Sequence, residues 1–290
     1  MVPEFVARTG GSKWNRALPG GSKRVQAQPA LKENMMKIVT FNLRCDNDYD
    51  AENRWEFRKG LVLDKLDAEK PDAIGFQEVL PAMGDFLKRW MSEYLFVGCG
   101  RDADYGGENN MIGFRRDRFE LMSLETFWLS DTPDVPGSRY ENQSVCPRVC
   151  THVVLRTLDT NRLFHLYNTH LDHVSDEARV LGATALMERM KRDLARFDLP
   201  VILMGDMNAA PDSAPIKVFL THPEVGLTCQ TPDFPASWHD FGRKMEQPQI
   251  DYIFTKGFAA EREPVAWNDK PFGKYLSDHE ALCAFLRLED

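Results

Sequence analysis

The run Lys37-Ile38-Val39-Thr40-Phe41-Asn42-Leu43 is mostly apolar and rich in β-prone residues. Its composition predicts a buried strand. After a polar loop, the apolar pattern from Trp55 to Glu69 predicts a helix, which Pro71 terminates. The run Ala73-Ile74-Gly75-Phe76-Gln77-Glu78 predicts a second strand. The chain therefore opens with the order strand, helix, strand.

The remaining sequence alternates short β-rich runs with amphipathic segments. A helix is predicted near residues 82–92, and a longer one at 176–196 carries its apolar residues as nearly a single stripe with a period of about 3.6. Further strands are predicted at 94–98, 111–115, 119–129, 149–156, 163–169, 201–204, 250–254 and 281–288. Strands in both halves, with helices between them, favour two sheets packed on each other and helices on the outer faces.

Residues 1–34 differ in composition from the rest of the chain. They mix Gly, Pro, Ser and Gln with six Lys or Arg and two Glu, and they show no helical or strand period. This composition predicts a disordered N-terminal tail, followed by one folded domain over residues 35–290. The formal charge is −8 for the whole chain, which divides into about +4 for the tail and about −12 for the body. An acidic body does not support a broad basic face for nucleic acid, although a local basic groove remains open.

Several classes of protein lack their sequence signals here. No apolar run approaches the roughly 20 residues of a membrane-spanning helix, and no secretion signal is recognisable at the N-terminus, so a cytoplasmic protein is expected. The six cysteines contain no C-x-x-C pair, which favours reduced thiols. The sequence also has no Walker A loop, H-E-x-x-H zinc motif or G-x-S-x-G elbow.

Polar residues recur where the predicted strands end. Asn42, Glu78, His170 and Asp206 each follow a β-rich run. Taken alone, an Asp before a turn is more often a turn or cap residue than a catalytic one, and a single His is more often structural. Strand ends gather at one edge of a sheet, however, so we expect these side chains to converge.

Six short motifs in a fixed order carry a family resemblance. They are Thr40-Phe41-Asn42, Gln77-Glu78, Asn168-Thr169-His170-Leu171, Gly205-Asp206-Met207-Asn208, Ile250-Asp251-Tyr252 and Ser277-Asp278-His279. Together they resemble the ordered signature of the endonuclease/exonuclease/phosphatase superfamily. The resemblance implies a four-layer α/β/β/α sandwich, with two packed mixed sheets, helices on the outer faces and the site at one end. It also implies a divalent-metal-dependent phosphoester hydrolase.

The resemblance implies a metal site and a set of catalytic groups. Mg²⁺ or Mn²⁺, hard cations that take oxygen ligands, are expected at Asn42, Glu78 and Asp278. The catalytic set carried over from the family motifs is His170, Asp206, Asn208, Asp251 and His279. In this set the two imidazoles hydrogen-bond the phosphate, and Asp251 orients His279. Asp206 aligns or deprotonates the attacking water, and Asn208 positions water or a phosphoryl oxygen.

Three further residues are candidates for binding substrate. Arg148 precedes the strand that leads towards His170, and Asp172 with His173 extends that motif to His-Leu-Asp-His. A purely structural role for Asp172 and His173 remains open. The polar loops at residues 46–54 and 101–110 are expected to set substrate choice, because loops at a strand-end site usually do so.

The sequence predicts a chemistry more closely than a substrate. The expected substrate is a phosphorylated small molecule, a lipid headgroup or a nucleotide, and it could be a diester or a monoester. The enzyme is expected to be a monomer. The alternative within the family is a Mg²⁺-dependent nuclease acting on DNA or RNA. Abasic-site endonucleases usually carry a Tyr-Val-Pro-Asn-like stretch where this chain has Asn168-Thr169-His170-Leu171, which argues against DNA repair. A non-catalytic binding module with the same fold is the rival outside the enzymes.

Overall fold

The computed structural model describes residues 34–244 and 247–289. The predicted tail, residues 1–34, lies outside the described residues except for Asn34. Four α-helices are present: α1 (Trp55–Glu69), α2 (Pro81–Trp90), α3 (Asp176–Arg196) and α4 (Ala214–Thr221). The strands are β1 (Met36–Asn42), β2 (Ala73–Gln77), β3 (Tyr94–Val97), β4 (Ile112–Arg115), β5 (Phe119–Trp128), β6 (Val149–Thr157), β7 (Leu163–His170), β8 (Val201–Asp206), β9 (Thr228–Cys229), β10 (Asp251–Lys256), β11 (Phe258–Trp267) and β12 (Ala281–Leu288).

The twelve strands form two mixed sheets of six strands each. The first sheet has the order β11-β12-β1-β2-β4-β3, and the second has the order β5-β6-β7-β8-β10-β9. In the first sheet β1 runs parallel to β2, and in the second β7 runs parallel to β8. All other neighbouring strands pair antiparallel, so a strand such as β10 begins at the end of the sheet where the parallel pair finishes.

Three apolar layers hold the sandwich together. Successive side chains of a strand point to opposite faces of the sheet, so neighbours in β1 serve different layers. Ile38 packs into the layer between the two sheets, whereas Val39 packs into the layer under α1 and α2. A third layer lies between the second sheet and α3 with α4, where Leu186 and Phe219 are fully buried. The predicted α/β/β/α sandwich is confirmed.

The long helix α3 begins at Asp176, directly after a capping serine. Ser175 caps it by accepting a hydrogen bond of 3.1 Å from the backbone nitrogen of Ala178, and Asp176 and Glu177 occupy the first turn. Carboxylates near a helix N-terminus interact favourably with the helix dipole. The predicted bounds of α1 and α3 are confirmed, while α2 is shorter at its C-terminus than predicted.

Some elements were absent from the sequence prediction. The strand β11 carries Glu261, Arg262, Glu263 and Pro264, and such residues normally argue against a strand. It forms the edge of the first sheet, and its pairing with β12 has register shifts around Arg262, so one side of it needs no hydrogen-bonded neighbour. The short elements α4 and β9 were also not predicted. No helix in the described part of the chain is long and apolar enough to cross a membrane.

Candidate active site

The strand directions bring the motif residues to one end of the sandwich. The parallel pair β1 and β2 ends with Asn42 opposite Gln77, and the parallel pair β7 and β8 ends with His170 opposite Asp206. The strand β10 runs the opposite way and begins at this end with Asp251, which pairs with Asp206. Asp278 and His279 precede β12, which is antiparallel to β1. The expected convergence of the motif residues is confirmed.

Asn42 joins the two sheets at the centre of the site. Its Nδ2 donates hydrogen bonds to Glu78 Oε1 at 3.1 Å and to Asp206 Oδ2 at 3.0 Å. Glu78 has φ 61° and Asn208 has φ 47°, both in the left-handed region that side chains other than glycine rarely adopt. Such backbone is held only where the surrounding structure requires it, and it is often found at functional sites.

Asp251 and His279 form a buried ion pair. His279 Nδ1 lies 2.8 Å from Asp251 Oδ2, and the same oxygen accepts a hydrogen bond of 2.7 Å from the hydroxyl of Ser237. Burial lowers the pKa of His279, but the attraction and hydrogen bond to Asp251 outweigh this effect and raise the pKa to about 10. His279 is therefore charged at neutral pH and presents its other nitrogen, Nε2, 3.8 Å from Asp206 Oδ2.

Asp206 lies between the two imidazoles. Burial raises the pKa of Asp206 to about 7, and repulsion from Asp251 adds to this effect. Its Oδ2 lies 3.4 Å from His170 Nε2, and burial followed by repulsion from Arg148 holds the pKa of His170 well below its ordinary value. The backbone nitrogen of Asn208 donates to Asp206 Oδ1 at 2.9 Å. A carboxyl group titrating near neutrality beside a neutral imidazole is suited to proton transfer.

The half-buried carboxylate of Glu78 and the buried carboxylate of Asp278 border the same cavity. Glu78 Oε2 accepts a hydrogen bond of 2.9 Å from the backbone nitrogen of Cys45, and Asp278 Oδ2 accepts one of 3.2 Å from Trp238 Nε1. Burial raises the pKa of Asp278, and repulsion from Glu78 contributes to the increase. Two carboxylates that repel each other beside a polar cavity fit a hard divalent cation, because each keeps lone pairs for it.

A second group of side chains has the donor set of a metal site. One ligand atom each from Asp206, Asp251 and His279 lies within 4.8 Å of the others, the one such group among the described residues. In this group the ring nitrogen Nδ1 of His279 is already hydrogen-bonded to Asp251. These three side chains are therefore suited to binding and transferring a proton at least as well as to ligating a metal ion.

The cavity bordered by these groups has a volume of about 540 Å³. Its lining includes the carboxylates Glu78 and Asp278 and also Arg101, Glu108 and Arg148, a group that we call the second wall. Pockets of a few hundred Å³ are typical of small-molecule sites. The cavity therefore has charged groups of both signs along a space suited to a small ligand.

The three predicted substrate-binding residues occupy different positions. Arg148 and His173 both border the cavity, and Arg148 Nη2 lies 2.7 Å from His173 Nδ1. Arg148 is only 4% exposed, and its Nε and Nη1 have no hydrogen-bond partner in the described structure. Asp172 instead is bonded to the hydroxyl of Ser144 and to the backbone nitrogens of the turn before α3. Its carboxylate ties two loops together beside the cavity.

Sequence patterns alone did not single out four of the residues at the cavity. Arg101 and Glu108 lie in the loop that was expected to set substrate choice, but nothing in the sequence indicated that they pair with each other. Arg44 borders the cavity and binds Asp50 through its Nε at 2.9 Å. Trp238 carries no recognisable motif, and only the folded chain places it against Asp278.

Comparisons with known proteins agree with this architecture. The model of the family described as Endonuclease/Exonuclease/phosphatase family matches residues 39–279. An endonuclease/exonuclease/phosphatase of Bacteroides vulgatus is 29% identical with a TM-score of 0.82, covering 88% of this chain and 99% of that one. A mannosyl-6-phosphatase of Bacteroides thetaiotaomicron is 26% identical with a TM-score of 0.78, covering 87% and 99%. An uncharacterized protein of Acanthamoeba polyphaga mimivirus is 23% identical over 76% of this chain and 88% of its own length.

Proposed function

Because the chain belongs to the endonuclease/exonuclease/phosphatase family, whose members are phosphoester hydrolases, we propose that it is a divalent-metal-dependent hydrolase of small substrates with a single phosphoester. The observation that carries the proposal is the arrangement around Asp206. This buried carboxyl group lies between a neutral imidazole, His170, and a charged one, His279, with the carboxylates of Glu78 and Asp278 at the same cavity. Phosphoester hydrolysis requires such a combination of proton transfer and charge neutralisation.

We assign the metal to Glu78 and Asp278, with Asn42 beside them. When bound there, Mg²⁺ or Mn²⁺ would neutralise the negative charge of the phosphoryl oxygens. The oxygen Oδ1 of Asn42 already accepts a hydrogen bond of 2.9 Å from the backbone nitrogen of Arg44, which fixes the direction of the amide. The amide nitrogen of Asn42 in turn fixes Glu78.

The remaining groups accept a proton from water or donate hydrogen bonds to the phosphate. Asp206 accepts a proton from the attacking water, since its pKa of about 7 leaves much of it ionised near neutral pH. His279, held charged by Asp251, donates through Nε2 to a phosphoryl oxygen whose negative charge increases in the transition state. His170 donates a second hydrogen bond as a neutral imidazole. Asn208 aligns Asp206 through its backbone nitrogen.

Several observations support a small substrate. The cavity of about 540 Å³ fits a small phosphorylated molecule better than a polymer. The body carries a formal charge of about −12, which opposes binding of an extended polyanion. Arg115, Arg116 and Arg118 form a cluster in the sequence, but they bind Asp117, backbone carbonyls of the β3 region and Met35, and they lie outside the cavity lining. The similar mannosyl-6-phosphatase is consistent with a phosphorylated small molecule.

The test is a panel of phosphoesters assayed with Mg²⁺ or Mn²⁺ across a salt series. The panel contains hexose phosphates, nucleotides, phosphorylated lipids, and short and long DNA and RNA. We expect the highest kcat/KM on a small substrate, with a shallow salt dependence, because one phosphate is neutralised. A steep decrease with salt together with a strong preference for long DNA or RNA would establish the nuclease alternative instead. Absence of turnover on every substrate would favour a binding module.

A further inference from the structure

The cavity has a second wall that the proposed hydrolysis does not use. This wall is built around an ion pair between Arg101 and Glu108, in which Nη1 lies 2.6 Å from Oε2 and Nη2 lies 2.9 Å from Oε1. The side chains of Arg101 and Glu108 are 14% and 18% exposed, so they border the cavity without being sealed from it. We infer that this pair, which we call the Arg101–Glu108 fork, binds hydroxyl groups of a sugar or other polyol phosphate; this inference rests on the proposed function.

The fork is fixed in place by the loop that carries it. The backbone nitrogen of Arg101 donates to the carbonyl of Glu108 at 3.0 Å, and Trp128 Nε1 donates to the carbonyl of Arg101 at 2.6 Å. Gly100 allows the loop to close, because a Cβ atom there would lie 1.9 Å from the carbonyl oxygen of Gly106. A rigid pair loses little conformational freedom when it binds a ligand, which favours specific recognition.

The chemistry of the fork matches adjacent hydroxyl groups. A guanidinium has five N–H donors, and the bidentate pair with Glu108 uses two of them. Each carboxylate oxygen of Glu108 keeps a lone pair for a further donor. A hydroxyl group both donates and accepts hydrogen bonds, so two neighbouring hydroxyls can bind to the carboxylate and the guanidinium together. Such an arrangement of donors beside acceptors is suited to a polyol.

The charge on this wall argues against a second anionic group on the substrate. Arg101 is balanced by Glu108, and Arg148 Nε lies 3.7 Å from Asp172 Oδ1. The formal charges of these four side chains cancel, so a further phosphate or carboxylate would have no excess positive charge to neutralise. A neutral group that needs both donors and acceptors fits better.

The lining of the cavity also argues against a nucleobase or a lipid chain. Among the described residues around it, Trp238 is the one Phe, Tyr or Trp side chain and Ile250 the one aliphatic side chain. Bases are usually held by stacking on aromatic or apolar side chains, and acyl chains need apolar walls. A hexose, by contrast, needs many hydrogen-bonding groups and at most one apolar surface for its C–H face. Trp238 is the apolar surface at the cavity, and its Nε1 is bonded to Asp278.

The test compares substrates that differ only in their hydroxyl groups. Kinetics are measured for hexose phosphates, for their monodeoxy analogues and for p-nitrophenyl phosphate, whose aryl group carries no hydroxyl group. We expect the unaltered protein to lose about 10- to 100-fold in kcat/KM on the deoxy analogue that lacks the bound hydroxyl, mainly through KM. Glu108→Gln should lower kcat/KM on the parent hexose phosphate by a similar factor. On p-nitrophenyl phosphate the loss in kcat/KM should be at least about ten-fold smaller. On the deoxy analogue that lacks the bound hydroxyl, the variant should have nearly the same kcat/KM as the unaltered protein.

The matched control is Asp117→Asn. Asp117 forms a bidentate pair with Arg115 on an exposed turn, at 2.9 and 2.5 Å, away from the cavity lining. This change should leave the kinetics on all substrates unaltered. The inference would be overturned, without affecting the proposed function, if Glu108→Gln lost equal activity on hexose phosphate and p-nitrophenyl phosphate. It would also be overturned if the unaltered protein hydrolysed every deoxy analogue as efficiently as the parent hexose phosphate. Absence of hydrolysis on every phosphoester would overturn the proposed function as well. The deoxy comparison needs no variant, so instability of Glu108→Gln would not prevent a decision.

Discussion

The side-chain nitrogen of Asn42, at the end of β1 in the first sheet, donates a 3.0 Å hydrogen bond to Asp206 Oδ2, at the end of β8 in the second sheet. The two residues are 164 positions apart in the sequence. Because the same nitrogen also contacts Glu78, the proposed metal side of the site and its proton-transfer side share one amide group. The relative position of the two sheets therefore determines the geometry of the site.

The first prediction concerns the proposed metal ligand Glu78. Glu78→Gln should lower phosphoesterase activity by about a thousand-fold or more, since a neutral amide cannot replace a ligand carboxylate on a hard cation. Mg²⁺ should raise the melting temperature of the unaltered protein, and this increase should be lost in the variant. Glu56→Gln, which alters an exposed carboxylate paired with Lys59, is the control and should behave like the parent. Full turnover in the presence of a chelator would contradict the prediction.

The second prediction concerns the Asp251–His279 pair. If Asp251 acts by orienting and charging His279, Asp251→Ala and His279→Ala should each reduce kcat/KM by a similar factor, about 100-fold or more. The double variant should then be only slightly less active than either single variant, because the residues act as a unit. The measurement is a double-mutant cycle in kcat/KM. Losses that multiply would show that the two side chains act independently.

The third prediction concerns stability and Asn168. Although Asn168 belongs to a sequence motif of the family, its side chain lies buried between the sheets, where Nδ2 donates to the carbonyls of Phe76 and Met111 and Oδ1 accepts from Gln77 at 2.7 Å. Asn168→Ala should therefore lower the free energy of unfolding by about 3 kcal/mol, because it leaves buried polar groups without partners.

The control for Asn168 is an asparagine in an exposed hydrogen bond. Asn142 donates to Glu177 at 2.9 Å on the surface, and Asn142→Ala should change the free energy of unfolding by less than about 0.5 kcal/mol. Urea unfolding of both variants supplies the comparison. If Asn168→Ala proved as stable as Asn142→Ala, the inter-sheet hydrogen bonds would not contribute as expected.

The fourth prediction concerns pH and a histidine pair far from the motifs. His152 Nε2 lies 2.9 Å from His165 Nδ1, and the His152 ring stacks on Tyr167 with centroids 4.0 Å apart. Burial, with a smaller contribution from His165, lowers the pKa of His152 to about 3. The pKa of His152 in the unfolded chain is about 6.5. Between this pH and a pH of about 3, the unfolded chain binds a proton that the folded chain does not. The free energy of unfolding therefore falls as the pH falls through this range.

The loss from His152 alone should be about 2 kcal/mol in the free energy of unfolding between pH 7 and pH 5. In His152→Gln, which keeps hydrogen-bonding groups but does not titrate, the decrease over the same interval should be smaller by this amount. Urea unfolding at both pH values gives the comparison, and titrating groups that do not contact His152 contribute equally to both proteins. Identical slopes for the two proteins would argue that His152 is protonated in the folded state.

Most helices and strands, and the identity of the chemical groups at the site, could be predicted from the sequence alone. The periodic apolar pattern at Asp176–Arg196 reports which face of that helix is buried, and the polar residues after the β-rich runs indicate strand ends. Such patterns do not report which strand pairs with which. The edge strand β11 was consequently missed, because its exposed side tolerates charges and Pro264.

Which side chains contact each other could be known only from the folded chain. The contact between Asn42 and Asp206 depends on the packing of two sheets, and the Arg101–Glu108 fork depends on a loop conformation that Gly100 permits. The structure also distinguished residues within one motif, since His170 lies beside Asp206 while Asn168 bridges the sheets behind it. The physical reason is that hydrogen bonds and ion pairs act over about 3 to 4 Å, whereas sequence periodicity carries information on local burial alone.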